Sequence, residues 1–449
     1  MSSTEVDMGS TPAQALSLAA RSGLLALLLT VGSLAPVSAA APTTVSARAA
    51  LDWNLNAVNA VRAAHTTDGG PTRTLYQTEG LLYVSYVQAA VYDAAMKISN
   101  RYTLYHHFNA GAGNASIEAA VISAAYNTLI YYLGDVNGTL ATKYAADIAR
   151  LPDGENTARG VAVGKAASDD IIALRAGDGR NAAASDACST DTTPGNWQCP
   201  PPSTGSIQFE QTPWVAVMRP FMLDSDSQFR APAPPALTDA QWISDRNETR
   251  DYGAIDSTVR SAEQKAIATF WNFNAINQSN QTLRDVAIQR GMDLVDTARL
   301  LAMGNMVGTD AGIACFDSKY HYTFWRPITA IRADGVAADA SWLPLFATPN
   351  HPEYPSHHGC VTSALAMTIA HALGTTNINV TISGLPVAPA TTATRTYATV
   401  DDIESQLVNA RVWIGFHYRY SVIAGENIGN SVAEWTLDRY FLPKTDTTD

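Results

Sequence analysis

Beyond residue 41, this 449-residue chain has no apolar run long enough to cross a bilayer as a helix, a span that takes about 18–20 residues. The nearest approach, residues 115–134, is interrupted by Glu118 and Asn127. A protein spanning the membrane several times is therefore excluded once the first segment is set aside. Positive charge is scarce as well: 29 Lys and Arg against 41 Asp and Glu leave a net charge of −12. That balance argues against nucleic acid and against an anionic membrane surface as partners. Cysteine is sparse, with four residues, and neither a C-x-x-C pair nor a zinc-type pair of histidines occurs, so structural zinc is not expected. No internal repeat is evident.

The N-terminus has the composition of a targeting segment. Arg21 is followed by the apolar run Leu24 to Val31 and then by small residues at Ala39 and Ala41. This is a short hydrophobic region with an A-x-A-like cleavage site, and processing near Ala39 to Ala41 would make the mature protein secreted or extracytoplasmic. Glu5 and Asp7 are unusual in such a leader, and a start at Met8 would remove them. Cys188 and Cys199 flank a polar loop and suit a disulfide in an oxidising compartment. Cys315 and Cys360 lie beside the motifs described below, either as buried thiols or as a second pair.

The length predicts two to four domains and allows a sizeable core. Apolar residues recur at helical spacing over Leu75–Ile98, Ser116–Leu133, Gly138–Arg150 and Thr157–Ala176. A second group covers Ser257–Phe273, Thr282–Met306, Gly308–Trp325, His358–Leu373 and Val422–Tyr440. The fold class expected is all-α, helical bundles with long loops. We expect residues 1–41 to be signal peptide and tail, 42–180 an N-terminal bundle, 181–250 a Pro-rich loop region, and 251–449 a C-terminal bundle. Trp197 and Trp214 are expected to anchor the loop region. The β-branched stretch Val380–Thr396 reads as a hairpin or an extended loop.

Three short segments of the last third carry chemistry. Lys319 and Arg326 are seven residues apart, nearly two helical turns, which on one helix would put both on one face. Pro327 disfavours helix at Arg326 and should free its head. Ser356 follows Pro355 and precedes a helical run, which is an N-cap position. The first amides of such a helix lack internal partners and suit an anion, with His358 close enough to move a proton. Arg411 and His417 would diverge by roughly 120° on one helix, but Gly415 permits a bend that brings both to one centre. An acidic protein that gathers three of its few cations in this way builds a local positive well. Each segment alone reads as a solvated face, a helix cap or an ordinary histidine. Together they describe a pocket for one oxyanion.

This pattern resembles the vanadium-dependent haloperoxidase and type 2 phosphatidic acid phosphatase superfamily, in its soluble haloperoxidase-like branch. That superfamily carries K-x6-R-P, P-S-G-H and S-R-x5-H. Lys319, Arg326 and Pro327 complete the first. The second reads Pro355, Ser356, His357, His358, with His in place of the family Gly. The third reads Ala410, Arg411 and His417, with Ala in place of Ser. The stretches Pro213–Pro235, Thr269–Trp271 and Ala298–Arg332 share the resemblance, which covers most of the chain after residue 50.

The resemblance implies vanadate as cofactor. Lys319, Arg326 and Arg411 would neutralise its oxygens, and Ser356 and the backbone amide of His357 would donate to them. His417 would be the one metal ligand. His358 would take a proton from hydrogen peroxide, and Lys319 would polarise the peroxide for attack by halide, giving hypohalous acid and then a halogenated small organic acceptor. His351, five residues before Ser356, leans toward bromide. The same pocket would serve a secreted acid phosphatase in which His417 forms a phosphohistidine. A third possibility is an anion-binding protein weakened by His357, whose side chain either crowds peroxide or supplies a second acid/base, and which would be strained if the position needed positive φ. A homo-oligomer is compatible with all three.

Overall fold

The computed structural model describes residues 46–66, 73–135, 138–182, 188–201, 209–333 and 338–444. The expected leader lies outside them. Thr44–Asp449 belong to one compact unit, and the described residues hold thirteen α-helices with two short antiparallel hairpins. No helix among the described residues is long and apolar enough to cross a membrane.

The N-terminal half contains α1 (Arg48–Ala63), α2 (Gln77–Ser99), α3 (Ile117–Leu133), α4 (Thr139–Ala149) and α5 (Glu155–Leu174). α2 is buried almost throughout, from Glu79 to Met96, as a helix apolar on all sides must be. Ser116 caps α3 by accepting the Ala119 amide. After the loop region come α6 (Ala240–Gly253), α7 (Ala262–Phe270), α8 (Ala275–Gln289), α9 (Leu294–Tyr322), α10 (Pro327–Ala333), α11 (His357–Leu373), α12 (Val400–Trp413) and α13 (Arg419–Leu437). Between α1 and α2, β1 (His65–Thr66) pairs with β2 (Arg73–Thr74), and the stretch between α11 and α12 is a hairpin, β3 (Val380–Gly384) with β4 (Ala393–Tyr397).

The 29-residue α9 is the spine. It packs against α2 on one side and against α8, α11 and α13 on others. One continuous apolar core contains Tyr86 and Val87 of α2, Met303 and Phe316 of α9, and Cys360 and Val432 of α11 and α13. Polar pins fix the register of these faces: Ser85 Oγ donates to the Asn305 carbonyl at 2.8 Å. Asp310, in the middle of α9, accepts the amides of Phe221 and Met222 at 2.7 and 2.8 Å, which ties down the Pro-rich loop region. Burial pushes the Asp310 carboxyl up to about 6, against the pull of those amides.

Two helix boundaries differ from expectation. Thr282–Met306 and Gly308–Trp325 are not the units formed; the break falls at residues 290–293, where Asp293 caps α9 by accepting the Asp296 amide. Consequently α9 runs unbroken to Tyr322 and ends at Thr323, which adopts positive φ. The helix has closed before Arg326, so Lys319 and Arg326 do not share a helical face. Their convergence comes instead from the turn between α9 and α10. In the loop region Cys188 and Cys199 form a disulfide, and Trp197 and Trp214 are buried anchors. The Trp197 amide donates to the Thr323 carbonyl at 2.7 Å and the Trp325 amide to the Gly195 carbonyl at 3.0 Å. The disulfide loop thus holds the turn that delivers Arg326.

Candidate active site

Lys319 lies in the last turn of α9 and is fully buried. Its Nζ donates to the carbonyls of Pro352 and Glu353 at 2.7 and 2.9 Å. Arg326, equally buried, donates from Nε to the His351 carbonyl at 2.9 Å and from Nη1 to the Phe416 carbonyl at 3.1 Å. Its Nη1 also reaches His417 Nε2 at 3.3 Å, and its Nη2 reaches His351 Nδ1 at 3.1 Å. An arginine only donates, so His417 Nε2 is an acceptor.

Arg411 sits on α12, and His417 follows the bend that Gly415 makes possible. Gly415 has φ +83°, and a Cβ there would stand 2.7 Å from the Gly253 carbonyl oxygen and 2.9 Å from Pro344 Cβ. Both the dihedral and the space demand glycine at this point. The bend turns His417 onto Glu353, whose Oε1 accepts from His417 Nδ1 at 2.7 Å. Arg326 donating to Nε2 and Glu353 accepting from Nδ1 specify the same tautomer.

Ser356 caps α11, its Oγ accepting the Gly359 amide at 3.4 Å. His357, the first residue of that helix, is not among the residues with positive φ, so the strain considered for a His at this position does not arise. The amides of His357 and His358 have no acceptor within the helix.

His351, His357, His358, Arg411 and His417 line one cavity of about 440 Å³ with Gln77 and Thr78 of α2, Gln211, Asn272 and Thr348. Lys319, Arg326 and Ser356 are not in its wall and stand behind it, fully buried. The eight positions therefore converge on one place, in two layers. Among the described residues, no group of three or more His, Cys, Asp or Glu is placed to hold a metal cation.

The electrostatics are lopsided. Burial lowers Lys319 to about 8, Arg326 to about 10 and Arg411 to about 9. Among the described residues, the one carboxylate acting on this group is Glu353, itself raised to about 7 by burial against the pull of Arg326 and Lys319. Burial and the three cations together hold His358 and His417 well below the ordinary histidine range. Arg411 Nε and His358 Nε2 are buried with no hydrogen-bond partner, which is costly unless something completes them. A tetrahedral oxyanion fits this donor set. It would offset the uncompensated charge and take the open donors, and His417 Nε2, whose lone pair here accepts from Arg326 Nη1 at 3.3 Å, would offer the single ligand that vanadate needs once Arg326 turns to the anion.

Glu353 was not singled out by the sequence. It lies in the loop from Pro349 to Pro355, and its partner is 64 residues away. Its only local signal is a lone acid in a Pro-rich loop just before Ser356. Cys315 and Cys360 are buried free thiols, with Cys315 Sγ 3.7 Å from the Pro355 carbonyl.

A family model described as the VCPO second helical-bundle domain matches residues 299–442, the stretch that carries Lys319, Arg326, Glu353, Ser356, His358, Arg411 and His417 but not Gln77, Gln211 or Asn272. Vanadium chloroperoxidase from Curvularia inaequalis is 29% identical over 32% of this chain and 31% of its own length. The chain thus matches about a third of the curated relative. A bacterial vanadium-dependent iodoperoxidase superposes over 91% of this chain and 100% of its own with a TM-score of 0.73 at 20% identity. A holo-type bacterial vanadium-dependent chloroperoxidase covers 80% of this chain and 91% of its own at TM-score 0.66 and 18% identity. These likenesses extend the shared helical fold across nearly the whole described chain.

Proposed function

We propose that this chain, which resembles vanadium haloperoxidases in its second helical bundle and in its fold, is a vanadate-dependent haloperoxidase that oxidises halide with hydrogen peroxide to hypohalous acid. The observation that carries this reading is the imbalance of charge: three fully buried cations face a single buried carboxylate. Such a pocket is complete only with an anion.

Lys319, Arg326 and Arg411 neutralise the oxyanion, and the α11 amides add donors at a helix N-terminus. His417 offers Nε2 as ligand. Glu353 is a positioning residue: it holds the Nδ1 proton, so Nε2 keeps the lone pair that would ligate vanadate in place of accepting from Arg326. Bound vanadate supplies a Lewis acid that activates peroxide toward halide. His358, neutral in this setting, takes a proton from peroxide and returns it to the product. Anion binding offsets the cations around His358 and strengthens it as a base. Preorganised charge provides most of the rate enhancement, since these donors need no rearrangement during the reaction. His351, in the cavity wall beside Arg326, supports bromide as the preferred halide. The apolar run Leu24–Val31, read as a leader, supports action outside the cytoplasm, with small organic acceptors halogenated by the released product.

The test compares purified protein with and without orthovanadate for bromination of a phenol dye by bromide and peroxide. Bromination that needs vanadate and is lost in His417→Ala is expected. Release of phosphate from a chromogenic monoester by vanadate-free protein, without bromination under either condition, would overturn the proposal in favour of a phosphohistidine mechanism.

A further inference from the structure

His357 departs from the superfamily pattern, and its surroundings are built to hold it. Its ring meets Phe316 of α9 edge to face, with centroids 5.5 Å apart at 89°. One turn earlier on α9, Gly312 stands beside the ring: a Cβ there would lie 3.6 Å from His357 Nε2, in ordinary contact. The clamp seals Nε2 from solvent without giving it a partner, yet His357 lines the cavity. Nδ1 has no hydrogen-bond partner among the described residues either, yet it is not among the polar atoms sealed from solvent, so it is the ring nitrogen open to the cavity.

The charge state follows from the neighbours. Burial first, then Lys319, Arg411 and Arg326, lowers His357 to about 3. No carboxylate acts on it to pull the other way. The imidazole is thus neutral at any working pH, with one N–H and one lone pair. This removes the option of a second acid/base and leaves a fixed, uncharged hydrogen-bonding group. A proton on Nε2 would be an orphaned donor against Gly312 and Phe316. A proton on Nδ1 points into a cavity whose ligand carries oxygen acceptors.

We infer that the His357 side chain is an additional neutral donor of the oxyanion site, presenting Nδ1–H to the bound tetrahedral anion beside the cationic set of Lys319, Arg326 and Arg411. This rests on the oxyanion reading given above and assigns the departure from glycine a binding role in place of a defect.

The test is calorimetric binding of orthovanadate and of inorganic phosphate to the vanadate-free full chain, with no turnover involved. His357→Phe keeps the clamped ring and removes the donor. His357→Ala removes both without adding bulk, and circular dichroism checks that each is folded. One neutral hydrogen bond lost predicts that both variants bind the anions about tenfold more weakly. The ratio to wild type should stay constant from pH 5.5 to 7.5, because the group does not titrate there. Unchanged affinity in both variants would overturn the inference and reduce His357 to packing. A ratio that grows as pH falls would overturn it too, since a charged imidazole would then be the donor. Failure of wild type to bind either anion would overturn the inference together with the function proposed above, whereas binding without halide oxidation would leave the inference standing and sink only that function.

Discussion

Arg175, after the end of α5, and Arg411, on α12, are 4% and 1% exposed, and their surroundings are opposite in kind. Arg175 donates from Nε to Asp178 Oδ2 at 3.0 Å, from Nη1 to the Pro220 carbonyl at 2.8 Å and from Nη2 to the Arg219 carbonyl. Its guanidinium lies over the Phe221 ring, 4.2 Å from the centroid. Burial alone would lower its pKa, but Tyr105, Asp178 and Tyr86 more than offset this, and it stands above the ordinary value. Arg411 has one bond, from Nη1 to the Trp271 carbonyl at 3.3 Å, and a buried Nε with no partner. Burial and then Arg326 lower it to about 9. One arginine is finished by the fold, and the other waits for something the fold does not contain. Buried charge of the first kind holds loops in place. Buried charge of the second kind marks a binding site.

The largest effect expected on the open side of this contrast is in His417→Ala. Vanadate-dependent halide oxidation should fall on the order of 10²–10³-fold or more, by analogy with loss of one preorganised group at a reacting centre, measured as kcat/KM for peroxide at saturating bromide. On the closed side, Arg175→Met should lose about 3–5 kcal/mol of stability, because it strands Asp178 as an uncompensated buried charge. Arg411→Met should leave the anion-free protein as stable as wild type or more so, and urea unfolding of the two variants side by side would reverse the contrast if it is wrong. Glu353→Ala should weaken both vanadate affinity and kcat by about 10–100-fold, the usual consequence of losing the group that orients a ligating histidine. Glu353→Gln, which can still accept from Nδ1, should lose less, and equal losses would contradict a positioning role.

The smallest and most diagnostic effect is on pH. Lys319 binds an anion in its protonated form and has been lowered by burial to about 8. Phosphate affinity should therefore fall as pH rises through that value. Its contribution to stability runs the other way. The unfolded group titrates near 10.4, so between about 8 and 10.4 the unfolded chain holds more protons and the anion-free protein gains stability with rising pH. Calorimetry and urea midpoints across pH 7–10 should show these opposite slopes.

The open side was also the more legible in the sequence. Lys319, Arg326, Ser356, His358, Arg411 and His417 occur in short segments whose spacing carries meaning, and the bend at Gly415 was visible as the one residue able to make it. Gln77, Asn272 and Glu353 were not visible, because each reaches the site through a contact between segments far apart in the chain. The boundary between α8 and α9 was misjudged although Asp293 is a cap. Gly308 looked like a break, yet it lies inside a helix buried all round, where packing against α2 and α11 overrides local preference. The inner face of α6 is largely polar, with Asp245, Arg246 and Thr249 buried, so periodicity does not reveal it, whereas α1 carries an apolar stripe that could have been read. The turn after α9 was the subtler miss. Lys319 and Arg326 are brought together by a positive-φ stop at Thr323 and a disulfide-held loop, not by the helical periodicity that the spacing predicts.

The most direct test of the central claim is a calorimetric titration of the purified, vanadate-free chain with orthovanadate, wild type beside Arg411→Met, with thermal unfolding recorded at each point. The account predicts one vanadate per chain, competition by phosphate, a rise in unfolding temperature on saturation, and loss of all three in Arg411→Met without loss of fold. Absence of saturable binding to wild type, or binding that Arg411→Met retains undiminished, would contradict it.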